Sequence, residues 1–211
     1  MTEIGLFPLP LVLVPTERIP LHIFEDRYKE LIAECIESGE PFGLVLATGD
    51  GAVHEVGTKA TVDQVLEMLD EDAMNIVVEG GERFRLLELT SGRSFATCEI
   101  EPVVDDDEPP TPEETAHAYE LFRELAQATG SDVDLPSPDA PQLDFELAAR
   151  IDFATDAKQE LLAETSPRKR MQRLGEILKT AIETTALQQT LRERAGRNGK
   201  VSPLGPDHSE P

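Results

Sequence analysis

The stretch Pro20-Leu21-His22-Ile23-Phe24-Glu25-Asp26-Arg27-Tyr28 joins a short apolar run to the start of a helical pattern. Residues 19–24 form a brief apolar run beside a proline, which is typical of an edge strand or a bulged strand. From Asp26 onward apolar residues recur at the spacing of one helix face, and Gly39 follows as a stop signal. That stripe consists of Tyr28, Leu31, Ile32, Cys35 and Ile36. The stretch therefore predicts a strand followed by a helix that ends near Gly39.

Short apolar runs on both sides of this helix predict further strands. The glycine pair Gly80-Gly81 separates two of these runs and predicts a hairpin turn. In the last run Ala96, Cys98 and Ile100 alternate with polar residues, so one face is expected to be buried. The runs are residues 11–14, 42–47, 76–78, 84–89 and 95–102. Many short strands with one inserted helix favour a small, partly closed barrel.

The second half of the chain has a different character, because it is poor in glycine and rich in helical patterns. Residues 105–112 are acidic and broken by prolines, which predicts a solvated linker. Thr111, Pro112 and Glu114 then form the signature of a capped helix start. Further helices are expected around 143–151, around 156–164 and from Ser166-Pro167 onward. The sequence predicts an α+β protein with a barrel at 1–104, a linker at 105–112, a helical bundle at 113–195 and a disordered tail at 196–211.

Composition excludes several classes of function. The chain has 211 residues and a net charge of −23, which opposes binding to phosphate backbones. The longest charge-free stretch near the start, residues 4–16, contains three prolines and is too short to span a bilayer. Met1-Thr2-Glu3 lacks the basic region of a secretory signal, and two cysteines cannot build a disulfide scaffold. A cytoplasmic protein that does not enter membranes is the expectation.

No motif for catalysis, cofactor binding or metal binding is present in the sequence. Neither a phosphate-binding loop nor the Gly-x-Ser-x-Gly or His-Glu-x-x-His pattern occurs. His22 lies in an apolar run, where a hydrogen-bonded structural role is favoured over catalysis. Cys35 and Cys98 fall on predicted inward faces and are expected to pack in the core. We therefore predict no catalytic residues, no cofactor and no metal.

The order and spacing of several motifs resemble those of the Lon protease family, in its N-terminal substrate-binding domain. The block from Pro20 to Tyr28 is long and chemically mixed, which makes the resemblance specific. The other matching motifs are Phe7-Pro8-Leu9, Phe42-Gly43-Leu44-Val45-Leu46, Val56-Gly57-Thr58 and Gly81-Glu82-Arg83-Phe84-Arg85. The resemblance implies a PUA-like pseudo-barrel followed by a helical bundle. It also implies recognition of unfolded or damaged polypeptides, without the ATPase and Ser–Lys protease domains of Lon.

These implications lead to a non-catalytic protein-binding module as the first functional hypothesis. The apolar candidates for polypeptide binding are Phe7, Leu9, Leu21, Phe24, Tyr28 and Phe42. Each of them is individually better explained as core, but those that line a surface could bury apolar client side chains. An open strand edge near the early prolines could add a client strand. The expected partners are unfolded or misfolded polypeptides and a separate protease or chaperone.

Two alternatives remain at this point: an RNA-binding PUA-like protein and a small-molecule hydrolase with an unrecognised pocket. The first is disfavoured, because residues 1–104 hold seven basic and 20 acidic groups. The second has no supporting motif. The basic cluster Arg168-Lys169-Arg170 with Arg173 opposes the dipole of the last helix, and pairing with acids of the first bundle helix is favoured over docking of an acidic partner protein. Arg27 and Arg83 are expected to pair with Glu25 or other nearby acids.

Overall fold

The computed structural model describes residues 2–49, 51–69 and 73–198. Within these residues the chain forms six strands and five helices, so the predicted α+β class is confirmed. The strands are β1 (Thr2–Leu9), β2 (Arg18–Ile23), β3 (Phe42–Leu46), β4 (Val56–Leu69), β5 (Ala73–Thr90) and β6 (Thr97–Pro102). The helices are α1 (Asp26–Ser38), α2 (Pro112–Thr129), α3 (Leu143–Ala148), α4 (Thr155–Ala163) and α5 (Pro167–Asn198).

The sheet is mixed and closes into a ring. Its order is β2-β5-β4-β3-β1-β6, and β5 also pairs with β6. The parallel pair β1–β3 and the antiparallel pairs β1–β6, β3–β4, β4–β5 and β5–β6 therefore complete a circuit of five strands. Strand β2 lies outside this circuit and pairs with the first half of β5.

The predicted hairpin at Gly80-Gly81 is wrong, since β5 continues through both glycines. Gly80 serves a close approach of two backbone segments instead of a turn. A Cβ atom at this position would lie 2.2 Å from the carbonyl oxygen of Val14. Glycine is favoured both in turns and where two backbone segments approach closely, so the glycine pair did not distinguish between the two.

The strand predicted at residues 11–14 is also wrong. These residues form a connection between β1 and β2, and backbone groups of Leu13 and Val14 in it bond to side chains. The amide of Val14 donates to Glu17 Oε2 at 2.9 Å, and Thr58 Oγ1 donates to the carbonyl of Leu13. Val14 packs against the helices whereas Leu13 packs beneath α1. This division between two cores produces an alternating pattern without a strand.

The helix signals in the sequence are confirmed with their caps. α1 starts at Asp26 and ends before Gly39, which has the left-handed conformation. At α2 the amide of Glu114 donates to Thr111 Oγ1 at 3.2 Å, and the amide of Thr111 donates to Glu114 Oε2 at 2.7 Å. α5 continues through Gly196 to Asn198, so the predicted tail overlaps the end of this helix, and residues 199–211 lie outside the described residues.

The carboxylate of Glu114 is expected to make stability depend on pH. Its pKa is lowered to about 2, and the hydrogen bond from the Thr111 amide is the largest cause. Hydrogen bonds from Gln172 and Arg168 lower the pKa further, whereas burial opposes them. Because the unfolded pKa is about 4.3, this contribution is complete above about pH 5 and is lost as the pH falls towards 2. In urea unfolding, the stability difference between wild type and Glu114→Gln should shrink over that range. The control is Glu113→Gln at an exposed position, and an unchanging difference for Glu114 would contradict the expectation.

One apolar core joins the strands to the helices. Val12, Val14, Leu46 and Val56 from the first half pack in the same cluster as Phe122, Phe145, Leu161 and Leu174 from the helices. Two other clusters of the described residues lie within the first half, one beneath α1 and one inside the ring. The shared cluster holds the helices against the strands.

Two buried arginines reinforce this seam. Arg83 on β5 donates to the carbonyls of Leu162 and Glu164 and pairs with Asp105. Arg170 on α5 pairs with both oxygens of Asp105 and with Asp144. Both guanidinium groups lie over the ring of Phe145, at 5.3 and 4.2 Å from its centre. The aromatic ring and the carboxylates together replace the water that these cations lost on burial.

The segment predicted to be a solvated linker is therefore attached to the seam. Burial acts to raise the pKa of Asp105, but hydrogen bonds and charges from Arg170 and Arg83 outweigh it, so the pKa lies below its ordinary value. Glu108 accepts a hydrogen bond from Ser166 Oγ at 2.9 Å. The sequence predicted a solvated linker because the partners of these acidic residues are distant along the chain.

Candidate functional site

The outer edge of β2 is the first part of the candidate site. Among residues 2–49, 51–69 and 73–198, β2 forms its ladder with β5 alone. An unpaired strand edge presents backbone donors and acceptors that can bind another extended chain. The open edge that the sequence suggested near the early prolines is therefore present at β2.

The register decides which backbone groups of β2 point outward. Gly80 donates to the carbonyl of Glu17 at 2.8 Å, just before β2 begins. In an antiparallel ladder the inward-bonded residues alternate, so Ile19, Leu21 and Ile23 bond to β5. The N–H and C=O groups of Arg18 and His22 then face outward. Pro20, which has no N–H, takes the outward position between them, which is where an edge strand tolerates proline.

Exposed apolar side chains accompany this edge. Phe24 directly follows β2 and is 63% exposed, and its ring stacks on that of His22 at 5.9 Å. Val65 and Leu66 on β4 are 45% and 56% exposed. Val65 stands opposite Ile76, which in turn stands opposite Leu21 of β2. Leu21 and Ile76 are themselves buried, so the exposed apolar side chains near this edge are Phe24 after β2 and, two strands away, Val65 and Leu66 on β4.

The six sequence-predicted residues divide into three groups. Phe7, Leu21 and Phe42 are buried in the cluster beneath α1. Leu9 and Tyr28 are partly buried against the same cluster, and the Tyr28 ring stacks on Phe7 at 4.0 Å. This burial is also the largest of the effects that raise the pKa of the Tyr28 hydroxyl above its ordinary value. Phe24 is the member of the set that the structure places on the open surface, and a binding role for any of them stays a prediction.

The titratable side chains weighed from the sequence have structural partners. His22 Nδ1 lies 2.8 Å from Asn75 Oδ1, in agreement with a hydrogen-bonded role. Cys35 and Cys98 are buried, and burial raises the pKa of each thiol to about 11. Arg27 pairs with Glu25 at 3.5 Å, as expected. These groups therefore serve packing and local geometry.

The basic cluster of the last helix is only partly explained by the predicted pairing. Arg168 pairs with Glu114 of α2 at 3.0 Å, as expected. Arg170 turns instead to Asp105 and Asp144. Arg173 pairs with Glu160 of α4 and with Glu176 one turn along α5. Acids on five different segments, rather than one acidic helix, neutralise the cluster.

In the part of the chain that the structure describes, no group of three or more His, Cys, Asp or Glu side chains is placed to hold a metal ion. Among the same residues, no helix is both long and apolar enough to cross a bilayer.

Sequence reasoning missed two components of this surface. β4 was not predicted, because register shifts near Lys59, Asp63 and Leu66 interrupt its alternation. The outward donors of Arg18 and His22 are backbone groups, which have no signature in side-chain patterns. The proline inside this short apolar run did indicate an edge strand, but it could not show which side of the strand lacks a neighbouring strand.

Comparisons with known proteins place this arrangement among Lon N-terminal domains. A family model described as the ATP-dependent protease La (LON) substrate-binding domain matches residues 3–180. The Lon protease of Anaeromyxobacter dehalogenans is 27% identical over 203 residues, which cover 87% of this chain and 24% of that protein. Lon protease 2 of Myxococcus xanthus is 25% identical, with coverage of 87% and 24%. The chain thus spans about a quarter of the length of these curated relatives.

Solved structures give the same result for the fold. The crystal structure of a Lon N-terminal domain protein from Xanthomonas campestris has a TM-score of 0.66 and 26% identity, covering 82% of this chain and 97% of that one. The N-terminal domain of Mycobacterium avium complex Lon protease has a TM-score of 0.64 and 17% identity, covering 84% of this chain and 98% of that one. At 17% identity the second likeness concerns the fold alone.

Proposed function

This chain belongs to the Lon substrate-binding domain family, and from that premise we propose that it is a non-catalytic module that binds unfolded or damaged polypeptide segments. The observation that carries the proposal is the free edge of β2 beside the exposed ring of Phe24. An unfolded chain offers the groups that can pair with this surface, namely unpaired backbone donors and acceptors and exposed apolar side chains.

The ring of strands is in this proposal a PUA-like pseudo-barrel, and α2–α5 form the accompanying helical bundle. Closure of the ring through β5 and β6 and the packing of α2 along α5 support this classification. A cytoplasmic location and a partnership with a separate protease or chaperone belong to the same proposal. A crosslinking pull-down with and without heat stress would identify such a partner.

Backbone pairing would allow this surface to bind polypeptides of many different sequences. A client strand on β2 would bond to the N–H groups of Arg18 and His22 and to the carbonyls of Arg18, Pro20 and His22. Each such bond contributes about 0.5–1.5 kcal/mol and does not depend on the client's sequence. Burial of the Phe24 ring against an apolar client residue adds about 1.5–3 kcal/mol. The site would thus bind many sequences weakly, which suits recognition of non-native chains.

His22→Pro tests the edge directly, because it removes one outward donor and leaves the ladder to β5 intact. We expect its affinity for a reduced and alkylated, permanently unfolded polypeptide to fall about fivefold or more, from the loss of about 1 kcal/mol. The measurement is fluorescence anisotropy of the labelled polypeptide.

His22→Ala is the matched control. It loses the same Asn75 hydrogen bond and the same stacking on Phe24, but it keeps the backbone donor. Its affinity should stay within about twofold of wild type if the edge binds the client. Equal binding by wild type and both variants, with unchanged circular dichroism, would remove β2 as the site.

A further inference from the structure

A cavity lies in the helical half of the chain, between α2 and the middle of α5. The loop after α2 and the residues after α3 form its other walls. Its volume is about 320 Å³, at the lower end of the range of about 300–1,000 Å³ found for ligand sites. A cavity of this size suits a ligand with few atoms. Its apolar lining consists of Phe122, Leu125, Ala126, Val133, Ile151 and Ala181.

Arg150 supplies a fixed cationic group to this cavity. Its Nε donates to the carbonyl of Asp134 at 2.9 Å, and its Nη1 donates to the carbonyl of Glu146 at 2.6 Å. The carboxylate of Glu146 also lies 3.5 Å from Nη1. The Nη2 group has no acceptor within the part of the chain that the structure describes. Because a guanidinium recognises carboxylates through its N–H groups, this free end of Arg150 can bind one.

Asp152 is a carboxylate without a partner in the same lining. It forms no ion pair and no hydrogen bond with any residue in the described ranges 2–49, 51–69 and 73–198. Helix α2 ends at Thr129, which also lines the cavity, and its last turn holds no basic side chain. Because the carboxyl end of a helix carries partial negative charge, both features favour a cationic group in the cavity.

The hydroxyl of Ser131 adds an acceptor for such a group. Thr129 Oγ1 donates to the carbonyl of Leu125 at 3.0 Å. In the hydrogen bond of 2.8 Å between Thr129 Oγ1 and Ser131 Oγ, the donor is therefore Ser131. Having donated its only proton, Ser131 Oγ can still accept a hydrogen bond. The cavity thus offers acceptors on Ser131 and Asp152 and a donor on Arg150, beside an apolar surface.

We propose that this cavity binds a free amino acid with an apolar side chain. The carboxylate of the amino acid pairs with Arg150 Nη2, and its ammonium group donates to Asp152 and Ser131. Its side chain packs against Phe122 and Ile151. Because such a ligand has no net charge, the chain's net charge of −23 does not repel it as it would an anion. This site is separate from the β2 edge and goes beyond the proposed function.

The test is a set of NMR titrations of the isotope-labelled whole chain with leucine, N-acetyl-leucine and leucinamide. N-acetyl-leucine lacks the ammonium charge, and leucinamide lacks the carboxylate. The backbone amide signals of Ser131 and Ile151 should shift and saturate with leucine. Each blocked compound should bind at least about tenfold more weakly, because a charge-assisted hydrogen bond is lost. Absence of a saturable shift, or equal binding of all three compounds, would overturn the proposal.

Two pairs of matched variants locate the binding. Asp152→Asn should weaken leucine binding about fivefold or more, whereas Asp156→Asn, outside this cavity, should leave it unchanged. Ala181→Leu fills the cavity and should abolish binding, whereas Ala186→Leu, at an exposed position of the same helix, should not. Equal binding by the two members of either pair would contradict the site. The His22→Pro variant should bind leucine like wild type, so failure at β2 and failure at this cavity give different results.

Discussion

Arg170→Met is expected to lower the free energy of unfolding by about 3–5 kcal/mol. The Arg170 side chain is only 3% exposed and contacts Asp105, Asp144 and the carbonyl of Glu164. Methionine retains much of the apolar stem but leaves two carboxylates without this cation in a poorly solvated seam. The loss of a partner for a buried charge is the costly step, and urea unfolding followed by circular dichroism measures it.

Arg173→Met is the matched control on the same helix. Arg173 pairs with Glu160 and Glu176, but all three side chains are largely exposed. Exposed ion pairs contribute about 0–1 kcal/mol, so this variant should remain close to wild type. Equal destabilisation by the two variants would mean that the buried network contributes no more than a surface pair, and that the apolar cluster alone holds the seam.

These arginines show that ion pairs between distant segments could not be predicted from the sequence. Arg168, Lys169, Arg170 and Arg173 form one basic cluster in the sequence, and the expected acidic helix neutralises Arg168 alone among them. The partners of Arg170 lie 26 and 65 positions away. Such pairs depend on how the helices meet the strands, and no local pattern records that geometry.

Local signals predicted the helices well, because caps and periodicity act within a few residues. The Gly39 stop of α1 and the capping box of α2 depend on groups one turn apart. Strands depend on partners that are distant in sequence, and the errors fall there. Residues 11–14 alternate between two cores without forming a ladder, and β4 forms a ladder with an interrupted alternation.

The chemistry of the candidate site could be predicted from the sequence, but the residues that form it could not. A strand edge and apolar side chains near the early prolines were expected, and the edge lies at β2. Of the proposed apolar residues, Phe7 and Phe42 fill the core whereas Phe24 reaches the surface. Phe7 and Phe24 each follow an aliphatic residue at the end of an apolar run. Their different burial follows from α1, which covers Phe7 and begins only after Phe24.

Gly80→Ala is expected to have the second large effect on stability. The new Cβ atom would lie 2.2 Å from the carbonyl oxygen of Val14 and 3.1 Å from Leu13 Cγ. The connection cannot easily retreat, because the amides of Val14 and Thr16 and the carbonyl of Leu13 are all hydrogen-bonded. We expect a loss of about 3 kcal/mol or more, at the upper end of the range for overpacking.

Gly81→Ala separates this steric effect from the general cost of altering a glycine in β5. Gly81 is exposed, and its Cβ would meet only the carbonyl oxygen of Lys59 at 3.3 Å. Its free energy of unfolding should stay within about 1 kcal/mol of wild type. A soluble Gly81→Ala beside an insoluble Gly80→Ala agrees with the expectation. Equal and small effects would instead show that the connection between β1 and β2 moves away at little cost, and the outward register of β2 would then have to be determined again, because the same hydrogen bonds to Gly80 set it.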